Sequence, residues 1–152
     1  MTGVGAAVNT AKVQPGQTVA VLGCAGVGLN VIHGAALCGA GRIIAVDLNP
    51  AKLELAKQFG ATDLVNASGG VDAPMAIKEL TGGHGVDYCF EVVGAPALIL
   101  QAFQALKRGG KAVVVGVPGM GQDVVLPGFS IPLEEKSVLG SLYGSANMRH
   151  DM

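Results

Sequence analysis

Apolar residues along this chain come in short solid blocks, each closed by glycine, proline or a polar capping residue. Six blocks read as strands: Thr18 to Gly23, Ile43 to Leu48, Thr62 to Asn66, Val86 to Val93, Lys111 to Val117 and Ser137 to Tyr143. The first is apolar on both faces, which fits a central parallel strand covered by helices. Helical lengths alternate with the strands. Gly26 to Gly39 is nearly all small and apolar, with Asn30 and His33 on one side. The next helix starts from Asn49 as cap with Pro50 in its first turn, shows Leu55, Ala56 and Phe59 as its inner face, and stops at Gly60. Asp72 to Leu80, ended by Gly82-Gly83, and Pro96 to Leu106, closed by Gly109-Gly110, read as two more helices.

At the N-terminus, Val4, Ala7, Val8 and Ala11 recur at helical spacing, and Pro15-Gly16 marks a turn. Gly119 to Glu135 carries Pro127 and Pro132 and reads as too proline-rich for a helix. Strands alternating with helices predict a single α/β domain over residues 1–152. Its expected core is a doubly wound, parallel, six-stranded sheet in the order 3-2-1-4-5-6.

Composition narrows the possible partners. The net charge is −1, 14% of residues are charged and 4% are aromatic, with no Trp. Nucleic acid therefore finds neither a basic face nor a stacking platform, and an anionic membrane finds no electrostatic attraction. The span from Val19 to Gly41 has no charged residue, but its six glycines, Asn30 and His33 punctuate it as strand, turn and helix rather than as a membrane span. Cys24, Cys38 and Cys89 are widely spaced and form no CxxC pair, which fits thiols in a reducing compartment and a cytoplasmic location. No basic segment precedes the N-terminal apolar residues, so no signal peptide is expected.

The chemistry concentrates in Thr18 to Asp47. After the first strand comes Gly23-Cys24-Ala25-Gly26-Val27-Gly28, then a helix, then a second strand ending in Asp47. This is the layout of a dinucleotide-binding βαβ unit, the Rossmann arrangement. The first glycine lets the chain leave the strand sharply, and the last lets helix and strand approach closely. The helix amides and dipole then face a pyrophosphate. Ala25 stands at the middle position of the fingerprint, where glycine is usual, with Gly26 directly after it. Asp47 lies 19 residues beyond Gly28, where a carboxylate accepts bonds from ribose hydroxyls and repels a 2′-phosphate. Leu48 follows, so no arginine waits for that phosphate. Both features point to NAD rather than NADP, and Lys52, one helical turn on, is within reach of the same ribose.

Other polar residues have weaker claims. His33, His84 in its glycine turn, and His150 near the C-terminus have no acid or serine partner at a meaningful spacing. Asp87 and Glu91 sit on one face of a strand about 13 Å apart by strand rise, too far for a carboxylate pair. Glu91, near the carboxyl edge of the sheet, is expected to structure the site without performing chemistry.

The order of these segments resembles the coenzyme-binding domain of zinc-dependent medium-chain alcohol dehydrogenases, the group that includes glutathione-dependent formaldehyde dehydrogenase. The matching stretches are Thr2 to Ala7, Val13 to Gly16, Val21 to Gly28, Val46 to Asn49, Gly60 to Thr62, Asp87 to Gly94, Val114 to Pro118 and Gly140 to Gly144. The resemblance implies further cofactor contacts. Thr2 is placed near the nicotinamide, Val27 over the pyrophosphate turn, and Val92 and Val93 on the adenosine and ribose side. Val115, Gly116 and Val117 follow the fifth strand, while Ser141, Leu142 and Tyr143 follow the sixth and hold the carboxamide. It also implies a homo-oligomer joined through the sheet edge near Val124 to Leu133. The catalytic zinc would be held by ligands outside this chain, so that the chain is a fragment of a longer enzyme, inactive alone, with no catalytic or metal residue of its own. An alcohol or aldehyde would be the substrate of the intact enzyme.

Two other classes share the glycine turn and strand-end acid: a non-catalytic nucleotide sensor and an S-adenosylmethionine-dependent methyltransferase. The family stretches favour the dehydrogenase.

Overall fold

The computed structural model describes residues 1–147, and His150 lies outside them. The chain begins with α1 (Thr2–Gly5), which widens into a π-type turn over Ala6–Ala11. The remaining elements are β1 (Thr18–Leu22), α2 (Gly26–Leu37), β2 (Arg42–Asp47), α3 (Pro50–Phe59), β3 (Asp63–Asn66), α4 (Ala73–Leu80), β4 (Val86–Glu91), α5 (Pro96–Gln104), β5 (Leu106–Val114), α6 (Ser130–Leu133) and β6 (Ser137–Gly140). The strands form one six-stranded sheet in the order β3-β2-β1-β4-β5-β6, and all five pairings are parallel, as the alternation predicts.

Strand side chains alternate between two cores. Val19 and Val21 of β1, with Ile43, Ala45, Phe90 and Val113, face a layer supplied by Ala6, Ala7, Val31, Ile32, Ala35, Leu53 and Ala56. Ala20 and Leu22, with Ile44, Val46, Cys89 and Ala112, face Ile77, Ala102 and Phe103. Covered on both faces, the central strands have no polar alternation to show, which explains their solid apolar runs.

Local chemistry sets most helix ends. Asn49 Oδ1 accepts from the Ala51 amide at 2.9 Å, Pro50 opens α3, and Gly60 closes it at φ 120°. Asp72 caps α4 through the Met75 amide at 3.0 Å. The inner face of α3 differs from expectation: Leu53 and Ala56 are buried, Phe59 is half-buried and Leu55 is 40% exposed. The buried stripe is centred on Leu53 and Ala56, three residues apart. Leu55, about 200° round the helix from Leu53, points outward.

Four boundaries also move. Gly109-Gly110 does not close the preceding helix. α5 stops at Gln104, and both glycines lie inside β5 where its pairing with β4 jumps from Val86–Leu106 to Tyr88–Lys111, an irregularity that glycine accommodates. β4 ends at Glu91 and β5 at Val114, ahead of the valines that follow each. In the connection before β6, one helical turn forms despite Pro132, because the first-turn amides of a helix have no intrahelical acceptor to lose. β6 stops at Gly140, after which Tyr143, Gly144 and Ser145 all adopt positive φ.

Candidate functional site

The glycine turn leaves the carboxyl end of β1 beside that of β2. Gly23 donates its amide to the Val46 carbonyl at 2.9 Å and turns at φ 101°. A Cβ on Gly28 would lie 1.8 Å from the Gly23 carbonyl oxygen, so only glycine lets α2 rise this close to β1. Cys24 donates its amide to Asp47 Oδ2 at 2.8 Å, and Asn49 donates its amide to Asp47 Oδ1 at 2.9 Å. Asp47 therefore ties the glycine turn to the β2–α3 turn.

Ala25, at the position where the fingerprint departs from glycine, is the N-cap residue of α2. Its backbone is extended and its carbonyl accepts from the Leu29 amide at 2.9 Å. The amides of Gly26, Val27 and Gly28 come before that first intrahelical bond, and they form the positive end of a 12-residue helix. A Cβ at Gly26 would meet nothing within 4 Å, so the approach to the first turn is open at Gly26, and Ala25 and Val27 are exposed while Gly28 is buried.

Two adjoining cavities flank this turn. One, of about 430 Å³, is lined by Gly23, Ala25, Gly26, Val27 and Gly28 together with Asp47, Lys52, Val92 and Val93. The other, of about 390 Å³, is largely apolar: Leu22, Val46, Leu48, Ala67, Val93 and Leu98 line it, with Asp47, Asn49, Lys52 and Gln101 as its polar side chains. Gly23, Asp47, Lys52 and Val93 border both. The structure thus brings together ten sequence-predicted residues: Gly23, Ala25, Gly26, Val27, Gly28, Asp47, Leu48, Lys52, Val92 and Val93. Leu22, Val46, Asn49, Ala67, Leu98 and Gln101 also line the apolar cavity and were not among the expected contacts. For the last three the only signal was position, just after β3 and three residues apart on α5.

The other predicted residues line neither cavity. Val115 and Gly116 donate their amides to the Glu91 carbonyl at 2.9 and 3.1 Å, and Val117 is 80% exposed. A Cβ at Gly116 would lie 2.1 Å from the Gly94 amide, so the loops after β4 and β5 interlock. The Ser141 hydroxyl pairs with Thr10 Oγ1 at 2.8 Å, which also pairs with the Ser145 hydroxyl, binding the end of the sheet to the N-terminal turn. Leu142 and Tyr143 face outward at 71% and 58% exposure, and Thr2 is half-buried on α1.

Glu91 holds this second region in place. It is fully buried, and its Oε1 accepts from the amides of Val93, Gly94 and Ala95 at 2.9, 2.7 and 3.3 Å, while Oε2 has no partner. With its side chain on one loop and its carbonyl on the next, Glu91 ties the loops after β4 and β5 together.

The remaining ionisable groups do not converge. Burial and the nearby Asp47 charge push the Cys24 thiol up to about 12, and burial with the Glu91 charge raises Cys89 further. His33 is exposed with its ring edge-on to Phe59 at 6.4 Å, and His84 is exposed in its turn. Asp87 lies at the amino end of β4, where it meets Thr18 and Lys107. Among the described residues no three His, Cys, Asp or Glu side chains gather as a metal site.

Residues 26–152 match the family described as zinc-binding dehydrogenase. The S-(hydroxymethyl)glutathione dehydrogenase of Synechocystis sp. is 46% identical over 154 residues, covering 99% of this chain and 41% of that protein. Benzyl alcohol dehydrogenase from Acinetobacter calcoaceticus superposes with a TM-score of 0.94 at 39% identity, over 99% of this chain and 41% of its own. A protein of Sinorhizobium meliloti 1021 solved bound to NADP superposes with a TM-score of 0.87 at 33% identity, over 93% of this chain and 42% of its own. The chain spans about two fifths of the length of these relatives.

Proposed function

This chain belongs to the zinc-binding dehydrogenase family, and we propose that it is the NAD-binding domain of an alcohol dehydrogenase, positioning the nicotinamide for hydride transfer from an alcohol. The observation that carries the reading is the pair of cavities that meet at Gly23 and Asp47 beneath the N-terminus of α2. Bound NAD supplies the hydride acceptor. The chain supplies its placement. The amides of Gly26 to Gly28 suit a pyrophosphate, and the apolar cavity suits the adenosine. Val115 to Val117, Ser141 to Tyr143 and Thr2 would flank the nicotinamide end.

Asp47 supports NAD over NADP. Its carboxylate borders both cavities, and a 2′-phosphate there would meet like charge, with Leu48 rather than an arginine next in the chain. Lys52 borders the same space and would reach the ribose or pyrophosphate. Zinc does not fit these residues: no cluster forms among those described, and buried Cys24 and Cys89 are held as thiols. No step of alcohol activation is assigned to this chain, and the zinc ligands of the intact enzyme would lie outside it.

The reading extends to a homo-oligomer through the sheet edge. β6 ends the strand order, and Val125, Phe129 and Leu133 in the segment leading into it are 80%, 70% and 55% exposed. Three unpaired thiols support a reducing, cytoplasmic setting. Calorimetric titration with NADH, NADPH and S-adenosylmethionine tests the whole proposal. NADH should bind tightest; a preference for NADPH would overturn the argument from Asp47, and alcohol turnover by this chain alone would overturn the division of labour.

A further inference from the structure

Resting on the NAD reading, we propose that Gln101 reads the base of the dinucleotide, its carboxamide oxygen accepting from the 6-amino group of adenine. The larger share of the 390 Å³ cavity wall is apolar, and Asp47, Asn49 and Lys52 all come from one side, the β2–α3 turn. That side serves other partners: Asp47 is left for the ribose, and the Lys52 ammonium donates but cannot accept. Asp47 holds the Cys24 and Asn49 amides, and Asn49 Oδ1 caps α3. The facing wall is formed by Val93, after β4, and by Leu98 and Gln101, which share a face of α5 three residues apart. The neighbouring stripe of α5, Ile99, Ala102 and Phe103, is buried in the core and fixes how the helix is rotated.

Gln101 is therefore the one polar side chain on the α5 wall of this cavity. It is half-buried, and among the described residues its carboxamide has no protein partner, although its backbone carbonyl accepts from the Ala105 amide. A carboxamide offers one acceptor and two donors in a plane, which matches the edge of a purine that places an amino donor next to a ring-nitrogen acceptor. With sugar and phosphates anchored at Asp47 and the helix N-terminus, the base lies between apolar surfaces, where an unmet polar group is costly. Shape would admit any flat base into such a slot. Gln101 would make it prefer an aminopurine.

The test compares NADH with the analogue whose base is unsubstituted purine, which lacks only the 6-amino group. Dissociation constants are read by dihydronicotinamide fluorescence for the wild-type protein, Gln101→Met and Gln101→Glu. The wild type should favour NADH by about 3- to 10-fold, the worth of one hydrogen bond. Gln101→Met, similar in length but without an acceptor, should bring the ratio near one. Gln101→Glu, which keeps an acceptor, should retain the preference. An unchanged ratio in Gln101→Met, or no preference in the wild type, overturns the role of Gln101 while tight NADH binding leaves the NAD reading standing. Failure of the wild-type protein to bind NADH removes both.

Discussion

The two halves of this sheet hold the loops at its carboxyl edge in opposite ways. In the β1-α2-β2 half, every feature turns inward on a few backbone atoms. Gly23, Gly28 and Asp47 interlock within hydrogen-bond or van der Waals reach, and an open helix N-terminus and two cavities result. In the β4-β5-β6 half, the sheet ends in loops that are tied down from below by Glu91, Gly116 and Ser141 yet present Val117, Leu142 and Tyr143 outward. The first half carries its own concave site. The second offers a firmly held ledge, whose surface takes on meaning from what rests on it.

Substitutions in either half test this difference. The largest effect is expected at the close approach. Gly28→Ala places a methyl 1.8 Å from a backbone oxygen and should cost about 3 kcal/mol, read as a lower urea midpoint together with lost NADH binding. Gly26→Ala, with open space around it, should stay within about 0.5 kcal/mol in the same measurement. If both tolerate alanine, the first half is not built on that contact.

Glu91→Ala comes next. It strips the acceptor from the amides of Val93, Gly94 and Ala95 and should cost about 2 kcal/mol, whereas Glu91→Gln, which keeps an oxygen in place, should cost less. Equal losses in the two variants would show that the ledge does not depend on those bonds. Asp47→Asn removes charge while keeping one acceptor oxygen. It should narrow the NADH-to-NADPH affinity ratio by about 10-fold, on the principle that like charges across a partly buried site repel by kilocalories. A ratio that does not move would place cofactor choice elsewhere.

The smallest effect concerns Asp87, at the far end of the sheet. Its burial raises the carboxyl pKa, but hydrogen bonds from Lys107 and Thr18 outweigh that and leave it below the ordinary 3.8. A depressed folded pKa contributes stability above the unfolded value, and that stability is lost as pH falls through the folded one. Wild-type stability should therefore fall more steeply below about pH 4 than that of Asp87→Asn, measured by urea midpoints across the acid range. NADH affinity should not change, since Asp87 borders neither cavity.

Legibility followed the same division. The glycine turn, its helix and Asp47 were readable because their partners are close in sequence or fixed by one crossover, and backbone geometry admits few residues there. The caps at Asn49 and Asp72 were readable for the same reason. Leu55 misled because an apolar residue alone does not say which way a short helix is rotated. Gly109-Gly110 misled because a glycine pair signals a helix end as well as it signals an irregular strand. Ala67, Leu98 and Gln101 left no local trace, since two parallel crossovers bring them to one cavity.

Local sequence suffices for the alternation of elements, the strand order and the carboxylate at the end of β2. Each follows from hydrophobic period, capping chemistry and the handedness of crossovers. Packing in three dimensions is what leaves Ala25 exposed at the head of α2, lets Glu91 bind two loops at once, and brings Gln101 to a cavity shared with Asp47. Those facts depend on how elements far apart in sequence pack together, and sequence spacing carries no record of that distance.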